Sequence, residues 1–366
     1  MAKIDGFLKK ICEIGASDVH LVSGSPPLIR YLGDLQPVKL PPLDWKVVQG
    51  LIFEILSPQQ QKIFVATNDL DFSYDLPGFG RFRGNLYRQR KGIDAVFRRI
   101  PSDLPQLDRL GFPENVLQLT GLHQGLVLIT GPTRSGKTTT IAAMVDYINA
   151  RDARNIITVE DPIEFVHPHK KSLINQREVG RSALTFAGSL RAALREDPDV
   201  IVVGEMRDLE TMHLAVTAAE TGHLVLSTMQ TGSAHKTVDR IIDSFMPEQQ
   251  NQIRIMLAES LKGIISQRLL KTSDAKSQVL ASEILIGSNP LANMIRERAT
   301  FQIPNLIQTG KEWGNRTLDD SIEELLQKKR ITARMAHYWA NSKERFDRYL
   351  SAADQPKEKE NRVGDA

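Results

Sequence analysis

A single cysteine, Cys12, occurs in 366 residues. That excludes an intramolecular disulfide framework and a multi-cysteine zinc site, and it fits a reducing compartment. No apolar run approaches the roughly 20 residues that a membrane-spanning helix needs. Met1 to Lys10 has no apolar core of the kind a secretion signal carries, so a cytoplasmic protein is expected. An excess of one charge is missing as well: 47 Lys and Arg face 44 Asp and Glu, a net of +3, which gives no polyanion-binding signature. What remains is an ordinary globular composition, long enough for two or three domains with cores of their own.

Residues 1–100 read as an α+β domain. Ile4 to Gly15 has the pattern of a short amphipathic helix stopped by its glycine, and Val19 to Val22 and Leu28 to Leu32 read as strands joined by a Gly24-Ser25-Pro26-Pro27 turn. One helical stretch is expected from Trp45 to Phe64. Strands follow at Leu70 to Tyr74, Gly80 to Arg88 and Ala95 to Ile100, with a Pro77-Gly78 hairpin turn between the first two. Arg81, Arg83, Arg88, Arg90, Lys91, Arg98 and Arg99 crowd the last strands. They can form a solvated sheet face, bind nucleic acid, or reach a nucleotide's γ-phosphate across a domain or subunit boundary. Alternation places Phe82 opposite Arg81 and Arg83, hence in the core, which argues against a stacking platform for bases. Pro101 to Pro113, with its prolines and one glycine, is the expected linker.

The second domain holds Gly131-Pro132-Thr133-Arg134-Ser135-Gly136-Lys137-Thr138-Thr139, a fit to G-x-x-x-x-G-K-[ST]. Its context fits too. Gly125 to Thr130 is a short apolar run of the kind a buried strand has, and Thr139 to Ile148 has a helical pattern. Glycines let backbone N–H groups turn inward around phosphate oxygens, and the helix N-terminus adds partial positive charge. Lys137 would neutralise the β- and γ-phosphates of ATP, and the Thr138 hydroxyl would ligate Mg²⁺. The bland alternative is a Gly-rich turn with a solvated lysine.

Carboxylates follow at strand ends. Asn155 to Val159 reads as a strand and leads into Glu160-Asp161-Pro162-Ile163-Glu164, where the acids can face Mg²⁺ or an attacking water, or form a surface turn. A helix from Ala183 to Arg195 precedes Val200-Ile201-Val202-Val203, whose β-branched run predicts a buried parallel strand. Glu205 directly after it is the first choice for general base, against a helix N-terminal acid as the alternative. A helix from Met206 to Glu220 and a strand at Leu224 to Leu226 lead to Thr228 and Gln230, either of which can sense a γ-phosphate. Glu248 to Leu270 reads as one helix, with a stripe through Ile253, Met256, Leu257, Leu261, Ile264 and Ile265. Val279 to Ile286 is an expected strand, Thr317 to Leu326 and Ala333 to Leu350 are expected helices, and Ala352 to Ala366 reads as a disordered tail.

By these residues the chain resembles the motor ATPases of type II secretion and type IV pili, and among them the pilus retraction ATPases. The stretches that carry the resemblance are Gly131 to Thr138, Thr158 to Glu164, Asn175 to Gly180, Leu194 to Asp199 and Val203 to Asp208, with Gly15 to Leu21 and Arg81 to Asn85 in the first domain. The resemblance implies a PAS-like N-terminal domain at 1–100, a linker at 101–113, a RecA-like P-loop ATPase domain at 114–350 and a tail at 351–366. It implies a homohexameric ring with ATP between two domains whose rotation drives pilus retraction. An inner-membrane pilus platform protein would be the partner, with no nucleic acid. Gly131, Thr133, Arg134, Ser135, Gly136, Lys137, Thr138 and Thr139 then bind nucleotide, with Thr138 on the metal and Gln230 near the phosphates. Arg81, Arg83 and Arg98 map onto γ-phosphate contacts, Glu160 and Glu164 onto the acidic box, and Glu205 onto the Walker B glutamate.

The chain departs from the family pattern in three places. Gln230 stands where the family has a histidine, and an amide cannot become cationic. Arg134 replaces a loop glycine, where a long cation can strengthen phosphate binding or restrict φ/ψ freedom. Pro290-Leu291-Ala292 replaces the leading triplet of an element associated with retraction, of which Ile295-Arg296-Glu297 survives. The alternatives are an accessory ring subunit with weak ATPase activity and a RecA-like nucleic-acid translocase.

Overall fold

The structure, a computed structural model, describes residues 2–31, 33–100, 104–180 and 182–350. The tail expected at 351–366 and part of the linker, 101–103, lie outside the described residues. Two compact units adjoin in sequence at Leu104 and Pro105, and the first also takes in Asp161–His167.

In the first unit the elements run α1 (Asp5–Ile14), β1 (Asp18–Leu21), β2 (Leu28–Tyr31), β3 (Asp34–Pro37), α2 (Trp45–Phe53), α3 (Pro58–Thr67), β4 (Asp69–Leu76), β5 (Gly80–Gln89) and β6 (Gly92–Ile100). The strands form one sheet in the order β3-β2-β1-β6-β5-β4, every pairing antiparallel. Alternation sends Phe82 and Leu86 of β5 and Ala95 and Phe97 of β6 into a core with Leu8, Ile52 and Phe64. Each large side chain so buried contributes roughly 1.5–3 kcal/mol. The helical stretch expected from Trp45 to Phe64 is two helices. Ser57 accepts from the Gln60 backbone N–H while the Gln60 side chain returns to Ser57, and Pro58 at the first helical position cannot continue a helix from before it. β3 escaped the sequence reading because Asp34–Pro37 is an exposed edge strand without apolar alternation.

The second unit contains α4 (Glu114–Leu119), β7 (Gly125–Thr130), α5 (Lys137–Arg151), β8 (Asn155–Glu160), β9 (Leu173–Glu178), α6 (Phe186–Ala193), β10 (Val200–Val203), α7 (Leu209–Glu220), β11 (Leu224–Met229), α8 (Ala234–Asp243), α9 (Pro247–Ser260), β12 (Leu261–Lys271), β13 (Gln278–Ile286), α10 (Asn289–Arg296), α11 (Ile303–Thr309), α12 (Leu318–Gln327), α13 (Ala333–Trp339) and α14 (Glu344–Asp347). Its sheet has the order β13-β12-β7-β11-β10-β8-β9, with β13 antiparallel to β12 and the other pairings parallel. Apolar clusters cover both faces, so β7 and β10 are buried at every position.

Several expected helices are corrected here. The stretch read as one helix from Glu248 to Leu270 ends at Ser260 and continues as strand β12. The stripe through Leu261, Ile264 and Ile265 satisfied helical spacing by coincidence, since short apolar runs fit either period. Gly263 weakens a helix there, and a Cβ on it would stand 2.9 Å from the Leu119 side chain. The helix expected at 183–195 starts only at Phe186, behind the Thr185 cap, and that expected at 206–220 starts at Leu209, behind the Asp208 cap. Ala333 to Leu350 holds two helices, α13 ending where Ala340 turns extended. The strand expected at Leu224 to Leu226 runs on to Met229. β9 and α8 were not expected at all; the polar Leu173–Glu178 is an edge strand, and the α8 N-terminus is held by Glu283, which accepts from the Ala234 N–H at 2.7 Å.

In the C-terminal part, α12 turns Asp320, Glu323 and Glu324 toward Lys311, Arg316, Lys328, Arg345 and Arg348. Burial opposes ionisation of Asp320, yet hydrogen bonds from Lys311, Arg345 and Thr317 outweigh it and bring its pKa from 3.8 to about 2. A carboxyl depressed on folding stabilises the native state above its unfolded pKa, and that contribution vanishes as pH falls through the folded one. Asp320→Asn should therefore lower the melting temperature by a few degrees near neutral pH and hardly at all near pH 2. Thermal melts across that range check it.

Candidate functional site

The phosphate loop spans the gap between β7 and α5. Its first residue, Gly131, has φ +144, and a Cβ there would lie 2.5 Å from both the Gln267 carbonyl oxygen and Ser135 Oγ. No other residue fits that wedge. Gly136, at φ +86, is the N-cap of α5. Arg134 also sits in the left-handed region, at φ +68, so the arginine that replaces the family's glycine keeps a glycine-like conformation at the expense of local strain. Lys137 Nζ donates to the carbonyls of Gly131 at 2.9 Å and Pro132 at 3.0 Å, which holds its ammonium against the loop. Thr133 and Arg134 are exposed, while Lys137, Thr138 and Thr139 are half-buried. Ser135 Oγ and Thr130 Oγ1 are buried polar atoms without a partner among the described residues, a state that favours a ligand or water there.

Sheet register brings the acids to the same rim. Val203 pairs with Val159 on one side and Ser227 on the other, and Ser227 with Leu128. Glu160, Gly204, Thr228 and Ile129 therefore stand level, with Glu205, Met229 and Thr130 one step further toward the loop. Glu160 Oε1 accepts from Thr158 Oγ1 at 2.6 Å and Gln176 Nε2 at 3.1 Å. Glu205 is engaged through both oxygens. Gln230 Nε2 donates to Oε1 at 2.7 Å, and Arg207 reaches Oε2 through Nε at 2.8 Å and Nη2 at 2.6 Å. Gln230, read from sequence as a phosphate sensor, thus has its amide on the carboxylate read as general base. Thr228 donates instead to the Gly204 carbonyl at 2.6 Å. Glu164 belongs to Asp161–His167, the segment grouped with the first unit.

Within the first unit, Arg81, Arg83 and Arg98 share the sheet face opposite Phe82. Arg81 donates to Ser73 at 2.8 Å and lies 3.6 Å from Asp75; Arg83 lies 3.7 Å from Asp71; Arg98 donates to Asp18 at 2.8 Å. Arg83 and Arg98 are directly opposite each other across β5 and β6. Like charges so placed are destabilising, and the flanking carboxylates offset this.

Two residues near the site were not singled out in sequence: Arg207, which pairs with Glu205, and Gln267, whose backbone abuts Gly131. The signal for Arg207 was its adjacency to Glu205. Gln267 was hidden by the helix assigned across β12.

The type II/IV secretion system protein family matches residues 81–345. The chain is 49% identical over 332 residues to the type IV pilus retraction ATPase PilT of Pseudomonas aeruginosa, covering 91% of this chain and 96% of that one. It is 46% identical over 318 residues to a twitching motility protein of Neisseria gonorrhoeae, covering 87% and 85%. A crystal structure of the pilus retraction motor PilT with bound ADP superposes with a TM-score of 0.85 at 44% identity, over 95% of this chain and all of that one. Likeness on this scale, at nearly full coverage of each partner, is membership: the chain belongs to the type II/IV secretion system protein family and is a PilT-type ATPase.

Proposed function

We propose that this ATPase works as a homohexameric ring that drives type IV pilus retraction at the cytoplasmic face of the inner membrane, through a pilus platform protein in that membrane. In this reading 1–100 is a PAS-like domain, 101–113 a linker and 114–350 a RecA-like ATPase domain. The observation that carries it is the common rim: Glu160, Glu205 and Gln230 leave β8, β10 and β11 at the same edge from which the phosphate loop leaves β7. In open parallel sheets that edge borders the ligand crevice.

The chemistry follows from the residues present. Backbone N–H groups of the loop and of the first turn of α5 take up the phosphates. Lys137 exchanges the Gly131 and Pro132 carbonyls for β- and γ-phosphate oxygens. Thr138 would ligate Mg²⁺ and Glu160 and Glu164 would order its waters, the ion neutralising charge on the phosphate oxygens when bound. Glu205 polarises the attacking water once Arg207 or Gln230 yields one of its oxygens. Arg81, Arg83 and Arg98 neutralise charge that develops on the γ-phosphoryl group.

Complementation tests the reading. Twitching restored to a strain lacking its retraction ATPase is the expected result. ATP turnover without restored twitching would instead favour an accessory ring subunit, which the Gln230 contact to Glu205 also suits. On that point Gln230→His, which restores a side chain able to become cationic, should raise the steady-state rate several-fold. An unchanged rate would remove Gln230 as the brake.

A further inference from the structure

Strand β12 puts a carboxamide beside the phosphate loop that the loop motif does not include. Ser266 pairs with Thr130 in the parallel ladder, so Gln267 lies next to Gly131, where the loop begins. The Gln267 side chain is wholly buried; its Nε2 is hydrogen-bonded, while its Oε1 has no partner among the described residues. Its Nε2 donates to Thr140 Oγ1 at 2.7 Å, across 127 positions of sequence. Thr140 is itself buried in the first turn of α5, and its N–H bonds to the Gly136 carbonyl at 3.0 Å. The Gln267 main chain meets the other end of the loop, since its carbonyl oxygen is 2.5 Å from the point that a Gly131 Cβ would occupy. One residue of β12 therefore lies against the loop's entry with its backbone and is bonded to its exit through the side chain.

We infer that Gln267 is a positioning residue for ATP hydrolysis, setting α5 against the sheet so that Lys137 and Thr138 meet the phosphates correctly. It touches no substrate and acts through Thr140. A displacement of about 1 Å originating away from the chemistry can lower a rate about 10²-fold. An amide that served packing alone would change stability and leave the rate per folded site untouched.

This inference rests on the ATPase reading, for which turnover by the unaltered protein is the control. Gln267→Leu and Thr140→Val remove the bond from either side at nearly constant volume. Each should lower kcat by about 10- to 100-fold with a much smaller change in KM for ATP. Because both cut the same link, the double variant should be no slower than the slower single one. Rates are normalised to binding sites titrated with fluorescent ADP, so misfolded protein does not mimic the effect. Should Gln267→Leu fail to fold, Thr140→Val carries the test alone. Unaltered kcat in Thr140→Val, or effects of the two changes that simply multiply, would overturn the inference. Absence of turnover in the unaltered protein would overturn the ATPase reading beneath it.

Discussion

Alanine at both Arg83 and Arg98 should lower ATP turnover by about 10³- to 10⁵-fold, the range that cationic stabilisation of a transferring phosphoryl group spans. The two stand directly opposite each other on β5 and β6, an arrangement that strand pairing alone disfavours. Their present partners, Asp71 and Asp18, hold them in ion pairs whose arginine side chains are 35% and 39% exposed. The Arg83–Asp71 pair, open to solvent on both sides, adds little stability. Asp18, nearly buried, keeps Arg30 at 3.9 Å and the Ser17 hydroxyl at 2.7 Å after Arg98 is removed. The double variant should thus melt close to the unaltered protein while losing its turnover. That separation is the point of the experiment. Activity within tenfold of the unaltered protein would return the pair to the role of a solvated sheet face.

Glu205→Ala should lower turnover by about 10²- to 10⁴-fold, as loss of a general base does, and should leave nucleotide binding intact. The carboxylate bonds to Gln230 and Arg207, and among the described residues none of its hydrogen bonds goes to the loop. A melting-temperature rise with Mg-ATP equal to that of the unaltered protein, together with lost hydrolysis, is the expected pair of readings. Lost binding would mean that Glu205 shapes the loop. Retained hydrolysis would shift the role to Glu160, a second carboxylate at the rim, already hydrogen-bonded to Thr158 and Gln176.

Much of this was legible in the sequence because local signals and tertiary outcome agreed. Val200 to Val203 can hardly be other than a buried strand, and a loop bounded by Gly131 and Lys137 between a strand and a helix announces its own geometry. The places where reading failed are those where two signals competed. Across Leu261 to Leu270, apolar spacing suited a helix, and the deciding constraint, the close fit of Gly263 against Leu119, is tertiary. Gln267 was invisible for that reason. The direction of Gln230 was likewise hidden, since its contact with Glu205 depends on β10 and β11 being neighbours in the sheet. Residue type named the polar groups at the rim, and strand order decided which of them touch.

The rim at which β8, β10 and β11 end, within two residues of one another, makes chain length between landmarks a chemical variable. Successive side chains on a strand point to opposite faces, so losing one residue from Val200–Val203 would reverse the sense in which Glu205 emerges while hardly altering hydrophobicity. A slip of that kind disturbs every side chain beyond it at once. Point changes within these strands can be absorbed by repacking. Insertions and deletions there shift Glu160, Glu205 or Gln230 relative to the phosphate loop, which repacking does not restore.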